Sequence, residues 1–120
     1  MSNLYGRVIL VAENEAFLAD NLTRLLEQSG ADVLGPVSTV GGALTLLVVL
    51  DRVDAAVLDI NLRDEAVYPL IDALEARGIP YVFAIDHGEA DIPTQYRDVP
   101  RWTKPYHLED LVRELGGPSR

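Results

Sequence analysis

Short apolar runs alternate along the chain with segments in which apolar residues recur at helical spacing. Each run is too short for a helix of ordinary length, and most are bounded by polar, glycine or proline residues, which favours a strand. Strands are therefore predicted at residues 7–12, 32–37, 54–60, 80–85 and 101–104.

Helices are predicted between most of these strands and after the last one. Phe17 and the leucines that follow it fall at helical spacing, and Gly30 ends this first helix. Ser38 and Thr39 can cap a second helix that runs to about Leu50. The third helix is predicted between Pro69 and Gly78, and the last one from Leu108 to Leu115.

The alternation of strands and helices predicts an α/β fold. Most of the strands are apolar on both faces, which is typical of a parallel sheet covered by helices on both sides. We expect a flavodoxin-like, doubly wound sheet of five strands in the order 2-1-3-4-5, with the strand that contains Gly35-Pro36 at an edge. A single domain over residues 1–120 is predicted, with its core at about 7–115 and a short tail at 116–120.

Composition narrows the possible functions. The 120 residues contain no cysteine, which excludes disulfides and thiolate metal sites. The formal net charge of −9 disfavours DNA binding and favours cations or basic protein partners. No apolar run is long enough to cross a membrane, so we expect a cytoplasmic protein.

In doubly wound sheets, ligands bind beyond the carboxyl ends of the strands. Several of the predicted strands are followed there by polar residues. Adjacent acids at these ends repel each other unless a cation or a proton lies between them. Oxygen ligands without histidine or cysteine suit Mg²⁺, and a lysine opposite them could pair with a phosphoryl group. The strand-end residues are Glu13, Asn14, Asp59, Ile85, Asp86 and Lys104.

Three motifs in this order resemble a known family. They are the Glu13-Asn14 pair after the first strand, VLDINL with Asp59, and TKPY with Lys104-Pro105. With these motifs the chain resembles the CheY-like receiver domains of bacterial two-component response regulators over residues 7–115. No output domain follows the last helix, so we expect a stand-alone receiver in a phosphorelay that acts by protein contact and is not an enzyme.

The resemblance implies a role for each matching residue. Asp59 would accept a phosphoryl group from a sensor histidine kinase or a phosphotransfer protein. Glu13, Asn14, Asp59 and the backbone carbonyl of Asn61 would hold Mg²⁺. Lys104 would contact the phosphoryl oxygens, and its peptide bond to Pro105 would be cis.

The chain also departs from the family pattern. Asn14 stands where the family usually has a carboxylate, so we expect weak Mg²⁺ binding. Ile85 replaces a serine or threonine hydroxyl, and Arg101 replaces an aromatic residue. Residues 88–100 include two prolines, so the fourth helix is predicted to be short or degenerate. A phosphorylation-independent pseudo-receiver that acts as an interaction module is therefore the alternative function.

The second predicted helix has more apolar residues than one buried face requires. The sequence ALTLLVVL at residues 43–50 is apolar at almost every position. Val48, Val49 and Leu50 are either covered by the connection to the third strand or form a homodimer or partner surface.

Other classes of protein fit less well. Asp59 could be a buried structural acid, but the acidic pair and the lysine are expected to converge on it. A phosphatase that works through an aspartyl phosphate would need a second acid where Asn61 stands. A flavodoxin-type carrier would need a phosphate-binding loop after the first strand, where AENEA repels phosphate.

Overall fold

Five parallel strands form one sheet in the computed structural model, which describes residues 4–60, 62, 66–85 and 101–103, with the backbone alone at 85 and 101–103. Their order across the sheet is 2-1-3-4-5, which confirms the predicted order. In chain order the strands are β1 (Val8–Ala12), β2 (Asp32–Val37), β3 (Ala55–Leu58), β4 (Tyr81–Ile85) and β5 (Arg101–Thr103).

Three helices lie in the described part of the chain: α1 (Ala16–Gln28), α2 (Val40–Val49) and α3 (Tyr68–Ala76). Of the two predicted caps, Ser38 and Thr39, it is Thr39 that caps α2: its Oγ1 accepts a hydrogen bond from the Gly42 N–H at 2.9 Å. Pro69 lies in the first turn of α3, where its missing N–H removes no helical hydrogen bond. None of these helices is long and apolar enough to span a membrane. The predicted fourth and last helices lie outside the described residues.

The helices cover the two faces of the sheet and create two apolar cores. Successive strand residues point to opposite faces, so Ile9 and Val11 enter one core while Leu10 and Ala12 enter the other. α1 contributes Leu22 and Leu26 to the first core. α2 and α3 close the second core, which contains Leu47, Leu58, Leu70, Ile71, Leu74 and Phe83. The predicted arrangement of helices on both faces is therefore confirmed.

Phe17 lies within α1, as predicted, but its side chain does not belong to the buried face of the helix. The helix buries Ala19, Leu22 and Leu26, which recur at helical spacing. Phe17 precedes Ala19 by two residues, a rotation of about 200° around the helix, and its side chain is exposed.

Asp54 links the amino ends of β1 and β3. Its Oδ2 accepts a hydrogen bond from the Val8 N–H at 2.8 Å and lies 2.9 Å from Nη2 of Arg52. Burial alone would raise the pKa of Asp54, but the Val8 N–H and the Arg52 guanidinium outweigh it and lower the pKa below its usual value. This contact helps set the register of β1 against β3.

A bulge in β2 aligns its end with the end of β1. Leu10 pairs with Leu34 and Ala12 pairs with Val37, so β2 contains one residue more than β1 over this stretch. Gly35 has a φ of +101° at the bulge. A Cβ atom there would lie 2.8 Å from the Val11 carbonyl oxygen. β2 lies at the edge of the sheet, as the Gly35-Pro36 pair predicts.

We predict that Gly35→Ala destabilises the fold more than the same change at Gly78. Gly78 also has a positive φ, but a Cβ there meets no atom within 4 Å. Gly78→Ala should therefore cost only about 1 kcal/mol for its backbone conformation, while Gly35→Ala adds a steric clash and should cost roughly 2–3 kcal/mol. Urea unfolding of both variants measures this difference, and equal losses would show that the bulge accommodates a side chain.

Candidate functional site

The carboxyl ends of β1 and β3 bring three of the predicted site residues together. The register pairs Ala12 with Leu58, and the Asp59 N–H donates to the Ala12 carbonyl oxygen at 2.8 Å. The Asn14 N–H lies 3.4 Å from Oδ2 of Asp59, a long hydrogen bond across the strand ends. Glu13 precedes Asn14 in the same loop, so two carboxylates and one amide lie at this edge of the sheet.

The two acids lie in different environments. Glu13 is only 3% exposed, and its N–H donates to the Val37 carbonyl oxygen at 3.0 Å. Its Oε2 accepts a hydrogen bond from the Glu15 N–H at 3.1 Å. Asp59 is half-buried, whereas Asn14 is exposed. A ligand from solvent can therefore reach Asp59 while Glu13 is largely shielded from water.

An open cleft of about 290 Å³ lies beside these residues. It separates the first turns of α1 from the end of β2, and both acidic and small side chains line it. The lining residues are Glu13, Asn14, Ala16, Ala19, Asp20, Pro36 and Ser38.

Comparisons with known proteins show which solved structures the chain is similar to. No family model matches the chain, and no curated protein does. The solution structure of SdrG from Sphingomonas melonis Fr1 is 34% identical, with a TM-score of 0.80 over 94% of this chain and 95% of that one. The BeF3-activated conformation of SdrG from Pseudomonas melonis Fr1 is 38% identical, with a TM-score of 0.73 over 92% of each chain.

A third solved structure carries the family description in full. The response regulator receiver domain protein from Clostridium thermocellum has a TM-score of 0.75 over 91% of this chain and 90% of that one. At 18% identity, it shows the shared fold alone. SdrG, with at least 34% identity over more than nine tenths of each chain, is a response regulator receiver domain. The chain therefore belongs to the CheY-like receiver domains of response regulators.

The other site residues of the receiver are described only in part. The backbone of Ile85 ends β4 and pairs with Thr103 of β5, so this position lies at the same edge of the sheet as Asp59. Asn61 and Lys104, as well as the predicted cis bond before Pro105, lie outside the described residues. The roles assigned to these residues stay predictions.

One residue of the loop has a contact that the sequence did not indicate. Glu15 is the N-cap of α1, and its Oε1 accepts a hydrogen bond from the Leu18 N–H at 2.9 Å. Serine, threonine, asparagine and aspartate are the usual N-caps, so a glutamate in an acidic cluster gives no such signal. The only feature of the sequence that points to Glu15 as a cap is its position directly before the apolar helical pattern.

The donor set fits a weakly held Mg²⁺ ion. Within the described ranges, no three His, Cys, Asp or Glu side chains lie close enough together to hold a metal ion. Glu13 and Asp59 supply two carboxylates, and Asn14 can supply a neutral amide oxygen. Hard oxygen donors suit Mg²⁺, but replacing a carboxylate by an amide lowers the charge that attracts it.

We predict that Asn14→Asp tightens Mg²⁺ binding by at least about 10-fold, because it adds a charged oxygen ligand. Without Mg²⁺ the variant should be less stable at neutral pH by on the order of 1 kcal/mol, since a third carboxylate then lies near Glu13 and Asp59. Saturating Mg²⁺ should restore that stability. Thermal unfolding with and without Mg²⁺, beside a metal titration, measures both effects.

The matched control is Asn21→Asp, which adds the same charge on α1 at a residue that does not line the cleft. This variant should bind Mg²⁺ like the wild type. If the wild type already binds Mg²⁺ as tightly as Asn14→Asp, the site is not weakened and another oxygen replaces the missing carboxylate.

Proposed function

We propose that this receiver accepts a phosphoryl group on Asp59 from the phosphohistidine of a sensor histidine kinase or a phosphotransfer protein. The observation that carries the proposal is the half-buried Asp59 carboxylate at the end of β3, beside the Asn14 N–H and the buried Glu13. The 38% identical SdrG, which has a BeF3-activated conformation, supports it, because beryllofluoride imitates a phosphoryl group.

In this transfer, Asp59 is the nucleophile. One of its carboxylate oxygens attacks phosphorus, the N–P bond of the phosphohistidine breaks, and the histidine nitrogen leaves with the electron pair and takes up a proton. The Asn14 N–H beside Oδ2 helps to orient the carboxylate for attack. The receiver then carries the phosphoryl group as an acyl phosphate and does not act on a separate substrate.

The proposed Mg²⁺ ligands are Glu13, Asn14, Asp59 and the backbone carbonyl of Asn61. When bound, Mg²⁺ neutralises charge that develops on the phosphoryl oxygens. Lys104 is proposed to contact the same oxygens from the end of β5. The amide at Asn14 favours weak Mg²⁺ binding and slow phosphorylation over a complete loss of the reaction, because it keeps an oxygen donor.

The second candidate function is a pseudo-receiver that binds its partner without being phosphorylated. The neutral amide of Asn14 is the observation in its favour, since the described part of the site contains only Glu13 and Asp59 as acids close to the strand ends. The two candidates differ in one measurable property, the uptake of a phosphoryl group.

We predict that intact-mass spectrometry shows the gain of one phosphoryl group after treatment with acetyl phosphate and Mg²⁺. The gain should disappear in Asp59→Asn, because an amide nitrogen or oxygen does not form a stable acyl phosphate. Asp51→Asn, the same change at an exposed residue before β3, should leave the gain intact. Absence of any gain in the wild type would support the pseudo-receiver, and a gain retained in Asp59→Asn would place the reaction on another acid.

The exposed end of α2 is the proposed surface for protein contact. α2 buries Val40, Ala43 and Leu47, whereas Val48 is 85% exposed and Val49 is 68% exposed. The expectation that the connection to β3 could cover these two valines is therefore wrong. Leu50 is half-buried.

A hydrogen-bonded cap holds this end of α2 in place. The Arg77 guanidinium donates to the carbonyl oxygens of Leu47, Leu50 and Asp51 at 2.6, 3.3 and 3.0 Å. The bonds to Leu47 and Leu50 satisfy carbonyl groups that the end of the helix leaves without partners. The two valines therefore lie on a fixed apolar surface, and we propose that a second copy of the chain or another protein covers it.

We predict that replacing Val48 with Glu and Val49 with Lys weakens self-association without unfolding the protein. Both side chains are exposed, so the free energy of unfolding should change by no more than about 0.5 kcal/mol. Sedimentation velocity at several concentrations measures the change against a control with Glu27→Lys and Gln28→Glu at exposed positions of α1. A wild type that sediments as a monomer at every concentration would exclude the homodimer and leave only a different partner.

A further inference from the structure

Glu15 connects the loop after β1 to the first turn of α1 through three hydrogen bonds. Its Oε1 accepts from the Leu18 N–H at 2.9 Å, and its carbonyl oxygen accepts from the Ala19 N–H at 2.9 Å. Its own N–H donates to Oε2 of Glu13 at 3.1 Å. The same residue therefore caps the helix and holds one carboxylate oxygen of Glu13.

The backbone conformation of Glu15 links these two contacts. As the N-cap it has φ −92° and ψ 115°, which is extended and not helical. The capping side chain stabilises this conformation, because its bond to Leu18 is lost if the residue becomes helical or if the first turn frays. The direction of the Glu15 N–H, and hence its bond to Glu13, depends on the same dihedral angles.

We infer that Glu15 is a positioning residue for the cation site, acting through Glu13. The inference rests on the proposed function, because it takes Glu13 as a ligand of Mg²⁺. Glutamate has a long side chain with several rotamers, so a hydrogen bond that fixes one of its oxygens prepares the carboxylate for the ion. Loss of a hydrogen bond that orients a metal ligand lowers metal affinity by about 10–100-fold.

Two simpler roles for Glu15 make different predictions. It could stabilise α1 as an ordinary cap with no effect on the site, or it could act only through its negative charge. Glu15→Ala removes the capping oxygen and the charge, whereas Glu15→Gln keeps a capping oxygen and removes the charge. Thr39→Ala is the matched control, because it removes the equivalent cap of α2, whose bond to Gly42 is also 2.9 Å long.

The experiment measures three properties of the full chain: the melting temperature without metal, the Mg²⁺ dissociation constant, and the exchange rate of the Glu15 amide proton without metal. Both alanine variants should melt roughly 3–6 °C below the wild type, since each loses one N-cap. Glu15→Ala should also weaken Mg²⁺ binding about 10-fold and speed exchange of the amide at position 15. Thr39→Ala should leave both of these properties unchanged, and Glu15→Gln should stay close to the wild type in all three.

Equal Mg²⁺ affinity in Glu15→Ala and Thr39→Ala would overturn the inference and leave Glu15 as an ordinary cap. Affinity in Glu15→Gln as weak as in Glu15→Ala would overturn it in favour of a charge effect. If the wild type binds no Mg²⁺, the proposed metal site of the wild type is wrong. The Glu15 and Thr39 variants are then compared in a protein that also has the Asn14→Asp change. No binding there would overturn the inference, whereas weaker binding on loss of the Glu15 cap would support it.

Discussion

The site depends on the register in which three neighbouring strands end. The Asp59 N–H donates to the Ala12 carbonyl oxygen, and the Glu13 N–H donates to the Val37 carbonyl oxygen. These two bonds join the carboxyl ends of β3, β1 and β2, and the bulge at Gly35 gives β2 the length that this alignment requires. A shift of one residue between β1 and β3 would turn side chains to the opposite face and separate Glu13 from Asp59. The positions of Glu13 and Asp59 therefore depend on these backbone hydrogen bonds.

The chain differs from the usual pattern of its family in the number of negative charges at these strand ends. Bringing several carboxylates to one edge costs stability unless a cation offsets their repulsion. Asn14 keeps an oxygen donor in the loop but removes one negative charge from the group formed with Glu13 and Asp59. We therefore expect the site to be less strained without metal and to gain less stability when metal binds. We propose that phosphorylation of this receiver is slow. Contact with a partner protein is then a large part of its function.

The sequence predicted the repeating features of the fold and the cap of α2, but it missed the cap of α1. Strand order, the edge position of β2 and the Thr39 cap followed from apolar runs and from residue types with strong preferences. Phe17 fits the apolar pattern that predicted α1, but this pattern did not show that its side chain faces solvent. The cap formed by Glu15 was missed because glutamate is an unusual N-cap, and its acidic neighbours indicated only a cation site.

We propose above all that Asp59 itself carries the phosphoryl group. Borohydride reduces an acyl phosphate to an alcohol and leaves a free carboxylate unchanged, so it marks the phosphorylated side chain. After treatment with a phosphodonor and Mg²⁺, reduction and peptide mass spectrometry should find the change at Asp59 and at no other acid. A phosphorylated protein in which the reduced side chain is Glu13 or another acid would contradict the account.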